Sequence, residues 1–406
     1  MVMRKPEKLN RSLSLTMVTF YGLGTIIGAG IYVLVGKVAG EAGQFAPASF
    51  FIAALLAAFT AFSYAELVAR FPHSAGEAVY VQRAFNWSML SRVVGFLIVL
   101  VGIISTATLA NGFVGYFDRF IELPSWITIS VLIVGLGLLA AWGITQSVGV
   151  AALLTVVEII GLAIVLWVAR GVVIELPQHI DTLMPTADAV VWQGVLLGAF
   201  VAFYAFIGFE DMVNVAEEVK DPSRTLPTAI IITLVITTLL YVLVTMTAVA
   251  GLPLEQLAGS EAPLADMYSH FSGKPATVII IIGLLSVLNG ILVQIIMATR
   301  VLYGMSAQGW LHDWFSRINS GTQTPLNATL VVVIIVWVMA ISFPVLTLAK
   351  MTSFVTLIVF TLMNLSLWRV KLLEKNYDGF SVPMVIPVLG AFCSGGFVTY
   401  QLFQVV

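Results

Sequence analysis

Two carboxylates, Glu158 and Glu210, stand inside long apolar runs, LLTVVEIIGLAIV and AFVAFYAFIGFEDMVNVAEEV, and Asp211 is beside Glu210. An ionised carboxylate at the centre of a bilayer costs about 2.5–3.5 kcal/mol on insertion scales, so a group kept there has a task. It takes up and releases a proton, or it holds a cation. The four histidines, His73, His179, His270 and His312, are scattered between the apolar runs, and Cys393 is the single cysteine. Such spacing offers no metal site and no Cys-based cluster. Neither HExxH nor GxxxxGK[ST] occurs, and no nucleophile–base pair falls within the runs, which argues against an enzyme, a bound cofactor and a nucleotide-driven pump.

Glycine supplies the second pattern. GLGTIIGAGIYVLVG carries Gly22, Gly24, Gly28, Gly30 and Gly36, and Gly208 precedes Glu210 in the other run. Glycine costs about 1 kcal/mol against alanine in a helix, so both midpoints disfavour helix. Gly24 and Gly28 also fit a GxxxG packing face. A break in the first run starts a new helix near Gly28, Ala29 and Gly30, where free N–H groups and the positive dipole end suit a carboxylate. A break in the second ends a helix near Phe206 and Ile207, where free carbonyls suit an ammonium. Two such ends facing each other make a receptor for a zwitterion, of which an α-amino acid is the common case.

The elements that hold these groups follow from composition. The chain has 406 residues, 60% of them from the set AVILMFWYC and only 10% charged. Soluble domains run about 45–50% apolar and about 25% charged, so the solvent for most of this chain is lipid. A net charge of −2 excludes a basic nucleic-acid footprint. With about 20 apolar residues per crossing, eleven spans are expected: 12–39, 46–70, 89–117, 124–143, 147–172, 190–217, 225–251, 276–306, 326–343, 345–369 and 383–404. The first is longer than a signal-peptide core and reads as a retained span. With the N-terminus inside, only Lys37, Arg119, Arg170, Lys274 and Lys350 of the 19 Lys and Arg fall on the outer side. The positive-inside rule therefore predicts a multi-pass protein of the cell membrane, with a cytoplasmic N-terminus and an external C-terminus.

The two broken spans open spans 1–5 and spans 6–10. Five helices is an odd number, so the halves have opposite topology, and paired glycine-interrupted spans mark a transporter's site. The expected fold is all-α and polytopic: a five-helix repeat over 12–172, its inverted partner over 190–369 and an extra helix over 383–404, forming one transmembrane domain.

Four stretches carry a resemblance: GTIIGAGIYVLVG; FSYAELVARFPHSAGEAVYVQRAF at the junction of spans 2 and 3; FYAFIGFEDMVNVAEEVKDPSRTLP; and ATRVLYGMSAQGWL followed by TPLNATL. Their order and spacing resemble the amino acid–polyamine–organocation superfamily, in particular its amino acid permeases of the cationic and neutral branch. The resemblance implies the five-plus-five inverted repeat of the LeuT type and alternating access around a midplane site. It implies that Ile27, Gly28, Ala29 and Gly30 line a carboxylate site. Tyr204, Ala205, Phe206 and Ile207 would then offer the ammonium carbonyls, with Tyr204 as an aromatic gate. Several relatives carry a lysine in the middle of span 5 in place of a sodium ion, and the matching position here is Glu158.

Glu158 therefore reads as a proton site, as a ligand for sodium, or as a protonated carboxyl that bonds a neighbouring helix. Glu210 directly follows the break in span 6, where it caps the inner half-helix, serves coupling, or does both. Thr106 and Asn289 fall where small polar groups reach the pocket, or else bond between helices. Arg300 stands where it can pair with Glu217 or Glu218 as an inner gate. Glu66, at the end of span 2, reads as structural. The expected function is secondary transport of neutral or broad-range amino acids, coupled to protons or sodium. The alternatives are an amino acid/polyamine exchanger, a cationic amino acid transporter and, from another class, a channel or structural membrane subunit.

Overall fold

A computed structural model of the chain describes residue 11 and residues 13–72, 76–141, 148–307, 309–319 and 324–405. Its helices in chain order are α1 (Leu15–Ala42), α2 (Ala46–Arg70), α3 (Gly76–Phe85), α4 (Ser88–Phe117), α5 (Ser125–Ala141), α6 (Val148–Val168), α7 (Arg170–Leu183) and α8 (Ala189–Phe203). After two 3-10 segments, Tyr204–Phe206 and Phe209–Glu218, come α9 (Pro222–Gly251), α10 (Leu254–Gly259), α11 (Pro263–Ser272), α12 (Thr277–Ala307), α13 (Leu326–Ser342), α14 (Val345–Leu373) and α15 (Val385–Val405). Among the described residues the one bridge between extended segments joins Leu13 to Val219.

Seven helical runs are long and apolar enough to cross a bilayer, or eight when the bent pair α6 and α7 counts as one. One of these runs, Leu15–Arg70, comprises both α1 and α2. Helices α5 and α13, apolar but shorter, pack on each other. The expected fifth span, 147–172, ends early. Helix α6 stops at Val168, and the chain bends by 75° into α7. Residues 170–183, expected as the end of a span and a loop, form an amphipathic helix that buries Leu176 and Leu183. Arg170 at the bend stacks on Trp167, 5.3 Å from its ring centre, because a guanidinium prefers an aromatic face to bare hydrocarbon.

Packing pairs each early helix with a later one. Helix α1 lies against α8, α2 against α9, α4 against α12 and α5 against α13. Around α1 the neighbours α6, α8 and α9 leave little room, so its residues from Ile26 to Val38 are largely buried. That central helix and the break after α8 hold the site.

Candidate functional site: two helix breaks around a central cavity

Helix α1 leaves helical geometry at Gly28 (φ −9°, ψ −135°). After α8, the turn Tyr204–Phe206 tightens to 3-10, Ile207 is extended, and Gly208 has φ 131°. That positive φ suits glycine, which has no Cβ to clash. A Cβ at Gly208 would also lie 2.6 Å from the Thr25 carbonyl oxygen, and one at Gly30 would lie 2.8 Å from Ala205 Cα. The two breaks therefore touch backbone to backbone. Thr25 Oγ1 donates to the Gly208 carbonyl at 3.0 Å. The Tyr241 hydroxyl lies 2.7 Å from the Ile26 carbonyl and 3.0 Å from that of Ala205, tying both breaks to α9. Beyond Gly208 the chain stays 3-10 for Phe209–Glu218, far longer than the usual run of about 3–4 residues, which marks a hinge.

Between the breaks lies a cavity of about 40 Å³. Gly28 and Gly30 of α1, Tyr204 and Ile207 of the break, and Asn289 of α12 line it, together with Ser105, Asp211 and Gln294. Five of the ten residues expected to bind substrate thus share one cavity. Ile27 is fully buried and does not line it. Ala29 is helical, and its side chain lies outside the described residues. Ala205 packs on Gly30, while Phe206 packs its ring edgewise on Tyr241. Thr106 does not line this cavity, and its hydroxyl donates to the Gly102 carbonyl at 2.7 Å. Its neighbour Ser105 takes the place instead, one residue, or about 100°, around the helix.

Glu158 sits on α6, only 1% exposed, outside that cavity. Among the described residues neither carboxyl oxygen has a close hydrogen-bond partner, and Ser286 of α12 is the polar side chain that faces it. The backbone around it is fixed: Tyr32 donates to the Glu158 carbonyl at 2.8 Å, and Tyr116 donates to the Tyr32 carbonyl at 2.7 Å. Glu210 accepts from Gly208 N at 2.8 Å, so it caps the 3-10 segment. Arg300 is exposed on α12, and the side chains of Glu217 and Glu218 lie outside the described residues.

Four further side chains stand in or beside the site without a role assigned to them from the sequence. Ser105 bonds Tyr204, Asp211 and Gln294 approach at 3.5 Å across the cavity floor, and Glu77 of α3 is buried beside Glu210. Ser105 adjoins the candidate Thr106, and Asp211 reads only as the neighbour of Glu210. Glu77 lies within one of the four stretches that carry the resemblance, where an acidic residue on a short connecting helix reads as solvated.

These features define a multi-pass α-helical membrane protein with two interrupted helices around a central cavity. Residues 13–405 match the amino acid permease family, and the chain belongs to it. It is 30% identical over 377 residues to the vacuolar cationic amino acid transporter 4 of Arabidopsis thaliana, covering 88% of this chain and 62% of that protein. The chain thus spans less than two thirds of that relative's length. It is 29% identical over 382 residues to the branched-chain amino acid permease BcaP of Bacillus subtilis (89% and 81% covered). Cationic amino acid transporter 4 of Homo sapiens is 29% identical over 381 residues (88% and 59%). The family and these relatives are transporters, not enzymes.

Proposed function

We propose that this protein is a secondary transporter that carries amino acids across the cell membrane by alternating access. The supporting observation is the pair of breaks, Gly28 and Ile207–Gly208, in contact around one cavity. A helix start at Gly28 receives the α-carboxylate, and the carbonyl end at Tyr204–Ile207 receives the α-ammonium. Gly28, Ala29, Gly30, Tyr204, Ile207 and Asn289 are the proposed contacts, with Ile27, Ala205 and Phe206 supplying backbone beneath them. The pairing of α1 with α8, α2 with α9, α4 with α12 and α5 with α13 supports the five-plus-five inverted repeat within eleven spans. The excess of Lys and Arg on one side supports a cytoplasmic N-terminus.

Coupling rests on Glu158. A carboxyl this deep, with no cation beside it among the described residues and only Ser286 facing it, changes its interactions strongly when it gains or loses a proton, which a coupling ion requires. Glu210 takes a share through the hinge it caps. Arg300 with Glu217 or Glu218 is the proposed inner gate. Asp211 favours a second reading of the substrate: its carboxylate lines the cavity, which suits a cationic amino acid or amine. Counterflow of a panel of radiolabelled amino acids in proteoliposomes, with and without a pH gradient, tests these readings. Uptake of at least one amino acid, faster with an inward proton gradient, is expected. Vesicles that accumulate no member of the panel overturn the transport reading.

A further inference from the structure

Next to the central cavity is a second one, about 30 Å³, and Asp211 and Gln294 line both. Its other polar walls are Glu77 of α3, Glu210 of the hinge, Tyr64 of α2 and Thr356 of α14. Three carboxyls thus surround a space large enough for a water molecule, for which about 10–15 Å³ suffices. Among the described residues no lysine or arginine forms an ion pair with any of the three. Tyr64 donates weakly to Glu77 Oε1 at 3.4 Å, and Glu210 Oε2 holds Gly208 N. Thr356 lines the space and is 2% exposed, and among the described residues its Oγ1 has no hydrogen-bond partner. A hydroxyl so placed needs a polar occupant, because an unpaired buried polar group is costly.

Helix α3 forms one side of the cavity. Helix α3 connects α2 to α4 and packs on the hinge, since a Cβ at Gly76 would meet Val213 Cγ2 at 2.5 Å. The bridge from Leu13 to Val219 brings the N-terminal segment to the same end of the hinge. Glu77 therefore stands between that membrane face and the floor of the central cavity. Burial pushes its carboxyl up to about 7, opposed by smaller lowering from a backbone hydrogen bond and Tyr64.

We propose that Glu77, a water seated against Thr356, and Asp211 form a proton relay from the α3 face to the central cavity, with Glu210 as the branch that reports to the hinge. In one step the Glu77 carboxyl gives its proton to the water while the water gives another to the Asp211 carboxylate. Glu77 is left ionised, Asp211 neutral and the water unchanged. The titratable groups facing Glu77 are Tyr64 of α2, Tyr80 of α3, and Glu210 and Asp211 of the hinge. Helices α4, α12 and α14 add none to the cavity wall. Carboxyl chains of this kind carry protons in membrane pumps and transporters. This relay is separate from Glu158 on α6, and its consequence for transport rests on the reading above.

Infrared difference spectroscopy of the purified full chain in lipid, stepped through neutral pH, detects carboxyls as they gain a proton. The wild-type chain is expected to show a protonated-carboxyl band that Glu77→Gln removes. Thr356→Val, close in shape, is expected to raise the midpoint of that band by roughly one pH unit, because the ionised carboxyl loses its hydration. A wild-type band kept whole in Glu77→Gln overturns the relay. Where Glu77→Gln gives no folded protein, Thr356→Val decides, and an unmoved midpoint overturns it. Wild-type counterflow in the same lipid is the control for the transport reading, and a failure there leaves the infrared result standing.

Discussion

The Tyr204 hydroxyl lies 3.0 Å from Ser105 Oγ and 3.2 Å from the carbonyl of the same residue, which ties the break after α8 to α4 across the cavity. The ring lines the cavity, and in the proposed transport cycle it would shield the substrate while the hydroxyl latches the break. Tyr204→Ala, which removes both, is expected to abolish uptake. Tyr204→Phe and Ser105→Ala each lose a buried hydrogen bond of about 1 kcal/mol, roughly a five-fold effect on transport. The two are expected to be less than additive, because they share the Oγ bond, while Tyr204→Phe also loses the bond to the Ser105 carbonyl. Initial uptake rates for both single variants and the double variant measure this. Full additivity would show that the latch does not act in transport.

Gly28 and Gly30, two residues apart, are expected to fail for different reasons. A Cβ at Gly28 meets nothing within 4 Å and Gly28 lines the cavity, whereas one at Gly30 collides with Ala205 Cα. Gly28→Ala should fold normally and lose substrate affinity, since it fills the approach to the α1 break. Gly30→Ala should lower thermal stability by separating the two broken helices. Thermal unfolding in detergent alongside substrate binding distinguishes the two. Wild-type affinity in Gly28→Ala removes the carboxylate site from α1.

The breaks are legible in the sequence because glycines and carboxylates are expensive inside a span, so their presence there has few explanations. Which hydroxyl of α4 faces the cavity is not legible. Ser105, Thr106 and Thr108 lie close together in a helix that is apolar all round, and lipid and protein faces there have similar side chains. Only packing fixes the rotation. The bend at Ala169 is hidden because Gly171, Val172 and Val173 continue the apolar run, and α7 becomes amphipathic only beyond them. Glu77 is disguised by its neighbourhood: α3 is a short polar-faced helix, and its carboxyl is buried by the hinge that packs over it.

Glu158→Gln is expected to separate exchange from accumulation. The amide resembles the protonated carboxyl in shape and cannot ionise, and only a difference in affinity between two conformations shifts their balance. Counterflow should persist, while accumulation driven by a pH gradient is lost. Accumulation that survives in Glu158→Gln would move the coupling to the Glu77 and Asp211 relay or to Glu210. A wild-type uptake driven by sodium, and lost in this variant, would make the residue a cation ligand.

A different carboxylate holds the structure together. Glu66 accepts from Arg70 Nε at 3.0 Å, from Lys371 Nζ at 2.7 Å on both oxygens and from Val382 N at 2.8 Å, clasping α2, α14 and the lead into α15. The side chains of Arg70 and Lys371 are only 4% and 11% exposed. Glu66→Leu leaves both cations without their main partner, a loss of about 3–5 kcal/mol. The unfolding midpoint in detergent is expected to fall sharply. Glu66→Gln, which keeps the acceptor but not the charge, should fall between. A midpoint within error of wild type in Glu66→Leu would show that the clasp contributes nothing to stability.

Glu77 gives the protein a pH-dependent stability whose sign is opposite to that of a salt-bridged carboxylate. Its folded-state value of about 7 lies above the ordinary 4.5 because burial penalises the ionised form. Between those values the folded chain holds a proton that the unfolded chain has released. Stability therefore falls as pH rises through that window. It levels off above it, at a total cost of roughly 3 kcal/mol. Glu77→Gln keeps an acceptor for the Tyr64 hydroxyl and carries no charge to desolvate. Thermal unfolding from about pH 4 to about pH 8 should show this variant matching wild type at the acid end and exceeding it at the alkaline end. The divergence of the two curves reports the ionisation of Glu77 together with its electrostatic effect on the neighbouring Glu210 and Asp211. A constant gap between the curves at every pH would mean that Glu77 does not change its protonation in the folded chain, and would remove the first member of the relay.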